Sequence, residues 1–176
     1  MNVSRRVKVV SLLLPTVAMV GLFVSVAGAA GTDYGGGTAV AGPGGVSLPI
    51  TRVIDLSPNA LRGRAIVDGC SVTVSVPQGT FPSGDQLIIA NGSRSKAPAG
   101  TNTVVAFFIG AYRYGARVGG SFRHSVTAVE LCSKIKVGDP VWASTGGGWS
   151  LVRSASVANG KATVAVTSDR TIEVTR

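Results

Sequence analysis

The sequence predicts an all-β chain of about eight or nine antiparallel strands, arranged as a sandwich or a barrel. Three observations carry this. From Val46 onward, apolar and polar residues alternate with a period of two, which sends one face of each strand into a core and the other into water. Turn signals recur at the roughly 8–12-residue spacing of sandwiches and barrels. No stretch carries the 3.6-residue period of an amphipathic helix, which disfavours α/β enzyme folds.

The chain opens with an address. Arg5, Arg6 and Lys8 precede a run from Val9 to Ala30 with no charged residue, ending in Ala27-Gly28-Ala29 before Ala30. A basic start, an apolar stretch and an A-x-A site are the three parts of a secretory signal helix. Residues 1–29 are read as the leader, cut between Ala29 and Ala30. The alternative is an uncleaved membrane anchor, since the uncharged run is long enough to span. Pro15, Gly21 and Gly28 dilute it. Removing 29 of the 176 residues leaves 147, with 14 basic and 8 acidic side chains.

Residues 30–45 are read as a flexible Gly-rich linker, because eight of the eighteen residues from 28 to 45 are glycine. Such a stretch loses much entropy on ordering and has little to bury. Residues 46–176 form the β domain. Asp55 to Arg64 is the one place where a short helical turn is expected, started by Ser57-Pro58. Cys70, Val72, Val74 and Val76 alternate with Ser71, Thr73 and Ser75, and Pro77 ends that strand. Gln86 to Ala90 is closed by Asn91-Gly92. Thr103 to Ile109 is dense enough in apolar residues to be a central strand.

Tyr112 to Val118 reads as a hairpin with Gly115 near its turn, which would put Arg113 with Arg117 on one face and Tyr112 with Tyr114 on one face. Ser125 to Cys132 is a strand whose apolar phase slips between Ala128 and Val129, suggesting a β-bulge. Val141 to Ser144 and Trp149 to Val152 flank a glycine loop. Asn159-Gly160 has the residue pair of a type I′ turn. Thr171 to Val174 closes the fold.

Two cysteines in an exported chain most simply form one disulfide, Cys70 to Cys132. Chain entropy gives such a link roughly 4 kcal/mol. One His and two Cys cannot build a Cys- or His-rich metal site, and no metal or cofactor is expected. His124 and Ser125 are adjacent, so on a strand they face opposite ways and cannot act as base and nucleophile. A hydrolase centred on His124 is therefore the remote alternative, and no catalytic residue is assigned. Asp33, Asp55, Asp68, Asp85, Asp139 and Asp169 stand mostly beside Gly, Ser or Pro and are read as turn residues.

The basic side is more suggestive. Tyr112, Arg113, Tyr114, Arg117 and Arg123 form a basic-aromatic hairpin with Phe122 and His124 nearby. Arginine with aromatics suits anionic polymers and stacked rings. For an exported chain an anionic wall polymer, a polysaccharide or another surface protein is the better partner, not nucleic acid. A membrane would be met only through an uncleaved leader. The plain alternative is a charged edge strand that resists aggregation. Trp142 and Trp149 flank the glycine loop as core anchors or, if exposed, a sugar-stacking platform. Asn91-Gly92-Ser93 matches a glycosylation sequon.

Val72 to Arg176 resembles a family of uncharacterised secreted actinobacterial proteins. The matching segments are Val76-Pro77-Gln78-Gly79-Thr80-Phe81, Gly138-Asp139-Pro140-Val141, and Ala155 to Asp169. The resemblance implies an immunoglobulin-like β-sandwich and carries over no catalytic residue. The combined expectation is a secreted, disulfide-stabilised, non-catalytic structural or interaction module, at the cell surface or outside the cell. The alternative function is a carbohydrate- or anionic-polymer-binding module using the basic hairpin.

Overall fold

The computed structural model describes residues 38–42, 45–92, 98, 100–146 and 148–176. The leader, its Ala29/Ala30 cut, most of the glycine-rich segment and Ser93 of the sequon lie outside the described residues.

Thirteen strands form two antiparallel sheets. They are β1 (Ala39–Ala41), β2 (Ser47–Asp55), β3 (Leu61–Val67), β4 (Cys70–Val76), β5 (Gln86–Asn91), β6 (Thr103–Arg113), β7 (Ala116–Arg117), β8 (Ser121–Leu131), β9 (Val141–Ser144), β10 (Trp149–Leu151), β11 (Ser156–Ala158), β12 (Lys161–Ser168) and β13 (Arg170–Thr175). The larger sheet runs β1-β2-β5-β6-β13-β9-β10, with β7 paired to β6. The smaller runs β11-β12-β8-β4-β3. The expected all-β sandwich is the fold observed, but the described residues form thirteen strands instead of the eight or nine expected, several of them only two or three residues long. No helix among the described residues is long and apolar enough to cross a membrane.

The period-two pattern explains the core. Val72, Val74 and Val76 from β4, Val126 and Ala128 from β8, and Val164 and Val166 from β12 point inward from the smaller sheet. Leu87, Ile89, Phe107, Ile109, Ile172 and Val174 meet them from the larger one. Burying a side chain of this size is worth about 1.5–3 kcal/mol. A second apolar cluster, centred on Leu48, Ile88, Ala90, Phe108 and Tyr112, lies on the outer face of the larger sheet.

Four sequence expectations change. The segment read as linker contains β1, which pairs with β2 through Val40 and Leu48. The short helical turn over Asp55–Arg64 is absent. Ser57 Oγ accepts the Asn59 N–H in a local turn, and β3 follows at Leu61. The bulge between Ala128 and Val129 is absent too: β8 pairs continuously with β4 and β12 through both residues. The apparent phase slip arises because Glu130 takes an inward slot while Val129 and Leu131 face outward. The register shift of this sheet falls at Val166/Ser168 instead. Gly160 alone of Asn159-Gly160 has a positive φ, so that turn is not type I′. Among the described residues, the two-residue hairpin turns with both central residues at positive φ are Asp68-Gly69 and Tyr114-Gly115.

Cys70 and Cys132 are bonded, with Cα atoms 4.7 Å apart. They extend the β4–β8 ladder one step beyond the Ser71–Leu131 pair. The link therefore staples neighbouring strands of one sheet and does not cross between sheets as in antibody domains.

Glu130 stands among the inward residues of the smaller sheet, 1% exposed, and neither carboxyl oxygen has a hydrogen-bond partner. Burial pushes its pKa from 4.5 up to about 8. The native state thus holds a proton that the unfolded chain has released. This contribution is fully present below about pH 4.5 and is lost as pH rises to about 8. The linkage is worth roughly 5 kcal/mol, at about 1.4 kcal/mol for each pH unit. Glu130→Gln should flatten the stability–pH profile between pH 5 and 8, measured by urea unfolding. A slope equal to wild type would show that Glu130 is not the group responsible.

Candidate functional site

The hairpin singled out by the sequence joins β6 to β7. Its turn is two residues, Tyr114-Gly115, with φ of 49° and 78°. A two-residue loop puts Arg113 opposite Ala116 and Tyr112 opposite Arg117. Directly opposed residues share a face, so Tyr112 and Arg117 lie on one side and Arg113 on the other. The expected pairing of Arg113 with Arg117 on one face is thus overturned. One residue of turn length inverts the side to which a whole strand's residues point.

Each arginine then meets its own buried carboxylate. Arg113 Nε donates to Asp85 Oδ1 at 2.5 Å, and Asp85 is 1% exposed. That hydrogen bond, with the Coulombic attraction of Asp85, raises the Arg113 pKa. Arg117 Nε donates to Asp169 Oδ2, also at 2.5 Å, and its guanidinium lies 5.8 Å from the centre of the Phe108 ring. Asp169 Oδ1 accepts the Ala111 N–H at 2.9 Å. The β6–β13 ladder extends only to the Ile109–Arg170 pair, so the Asp169 carboxylate supplies the acceptor where β6 leaves β13 for β7. A third pair joins Arg176 to Asp139. Burial alone pushes the Asp139 carboxyl up, but the Lys136 N–H and the Arg176 guanidinium together hold it below its usual value.

These aspartates were read as turn residues. Asp139 fits in part, accepting the Lys136 N–H three residues back. Asp85 and Asp169 do more, because they neutralise the hairpin's cations. Sequence spacing gave no sign of this, since the partners lie 28 and 52 residues apart.

The remaining candidates scatter. Tyr112 is buried in the outer cluster and is not a surface ring. Tyr114 is 97% exposed at the turn tip. Trp142 and Trp149 lie on the outer face of the larger sheet and are half-buried, so neither is sandwiched between the sheets. Trp142 Nε1 donates to Thr175 Oγ1. His124 is exposed on β8. No group of three or more potential metal ligands occurs among the described residues.

One cleft brings candidate residues together. It has a volume of about 450 Å³ and is lined by Arg113, Arg123, Phe81, Phe122, Asp85 and Val118, among others. Strand β6 supplies Arg113 from the larger sheet, and β8 supplies Phe122 and Arg123 from the smaller one. The loop after β4 supplies Phe81, which sequence reading had placed only in the resemblance. Phe81 and Phe122 pack edge to face, 4.8 Å between centres. A larger hollow of about 990 Å³ lies over the outside of β3 and β4. Its lining includes Arg62, Arg64, Thr73 and Thr127 but no aromatic ring or carboxylate.

Searches against known protein families, curated proteins and solved structures find no match to this chain.

Tyr114 is a bulky residue in the left-handed region, where asparagine and glycine are favoured. Tyr114→Asn should therefore stabilise the protein by about 0.5–1 kcal/mol. Chemical denaturation reads this directly, and a loss of stability would contradict a strained turn.

Proposed function

We propose that this chain is an exported, non-catalytic interaction module that recognises its partner with the end of the sandwich where β6 and β8 converge. The observation that carries the reading is the cleft itself. It is the place where two arginines, one of them without a hydrogen bond or ion pair among the described residues, meet an aromatic pair. Pre-formed concave sites with a few convergent polar groups are the usual form of ligand recognition. The leader-like start of the chain and the sheet-stapling disulfide support an oxidising destination outside the cytoplasm.

The hydrolase alternative has less support. His124 makes no hydrogen bond or ion pair among the described residues. An acid–base site needs a base within hydrogen-bond reach of its partners.

The test is retention on envelope material isolated from the producing cells. Retention should be saturable, weaken as salt rises, and fall in an Arg123→Ala protein, with no soluble product released. Release of soluble product that disappears in a His124→Ala protein would replace the module with a hydrolase.

A further inference from the structure

We infer that the β6–β8 cleft takes a carboxylate-bearing sugar unit, its carboxylate between Arg113 and Arg123 and a C–H face of its ring against Phe122. This rests on the module reading and adds the ligand's chemistry.

The charges in the cleft suit a monoanion. Arg113 gives its Nε to Asp85, and its two terminal nitrogens make no hydrogen bond among the described residues. Arg123, exposed on β8, makes none at all among the described residues. Two guanidiniums against one buried carboxylate leave a single positive charge. Planar guanidinium forks match a planar carboxylate bidentately. Asp85 also holds its neighbour in place: anchored through Nε, Arg113 keeps both terminal N–H groups for a ligand.

The rest of the lining suits a sugar. Phe81 is buried and Phe122 half-buried, so their edge-to-face pair forms an apolar wall of which Phe122 is the less buried ring. Asp85 Oδ2 is buried with no partner, and a buried acceptor left unpaired costs about 1–3 kcal/mol. A sugar acid carries hydroxyls close to its carboxylate, the kind of donor this oxygen lacks.

Addition of an extended peptide to β6 is disfavoured. Up to Tyr112 both edges of this strand are occupied. Gln86 and Leu87 of β5 pair on one side, and Ala116 and Arg117 of β7 on the other. No open ladder edge remains for strand addition to β6.

The experiment is a calorimetric titration of the purified protein with trigalacturonate. Maltotriose serves as a neutral trisaccharide, galactose 6-sulfate as a singly charged sulfated sugar, and a short peptide with a free C-terminus as the peptide arm. Trigalacturonate should bind, maltotriose should not, and Arg123→Ala should weaken binding about tenfold, or 1.4 kcal/mol. Arg153→Ala, an exposed cation outside the cleft, should change it less than about twofold, which separates a site from bulk charge. Arg123 is exposed, so unchanged thermal unfolding of Arg123→Ala is the folding control. Phe122→Ala gives a second, charge-neutral readout and should also weaken binding.

Equal weakening by Arg153→Ala, binding of maltotriose, or preference for the sulfate or the peptide would overturn the assignment. Absence of trigalacturonate binding would overturn it as well. If envelope retention persists in that case, the module reading survives and only the ligand class falls.

Discussion

A carboxylate taken out of water must find a counter-charge or give up its own charge. That constraint organises this molecule. Asp85, Asp139 and Asp169 are each less than 9% exposed, and each holds an arginine. Glu130, inside the sandwich with no partner, takes the other course and keeps its proton near neutral pH. The same chemistry thus produces three anchors and, with Glu173, whose carboxyl burial also pushes up, two groups that make stability depend on pH.

Two of the anchors determine what the β6–β7 hairpin can do. Asp85 and Asp169 grip it from opposite faces, through Arg113 and Arg117. Asp169 also accepts the Ala111 N–H where β6 changes partners. Arg117 is thereby tied to its carboxylate over the Phe108 ring and closes the outer cluster. Arg113 is held by one nitrogen and presents the others beside Arg123. The hairpin that looked like one basic patch is two separate arginine environments, and only one opens onto a cleft.

Much of the fold was legible in the sequence because period-two alternation is a local property. The Cys70–Val76 strand, the Thr103–Ile109 core run and the Cys70–Cys132 link could all be read from neighbouring residues or from counting. Strand β3 was hidden because Arg62, Gly63 and Arg64 interrupt its apolar pattern. Strand β1 was hidden inside glycine-rich sequence. Glu130 disguised an unbroken strand as a bulged one by occupying an inward slot. The site was legible only in composition. Arg113 and Arg123 were both named, but their separation from Arg117 depends on a two-residue turn. Their company of Phe81, Phe122 and Asp85 depends on contacts across sheets that no local pattern reports.

The most direct test of the anchoring account is a double-mutant cycle on Asp169 and Arg117, using Asp169→Asn, Arg117→Gln and the double variant. The Arg117 side chain is 37% exposed, so solvent screening reduces the coupling below that of a fully buried pair. The account predicts a coupling energy of about 1–2 kcal/mol from urea unfolding. A coupling below about 0.3 kcal/mol, typical of an idle surface pair, would contradict it.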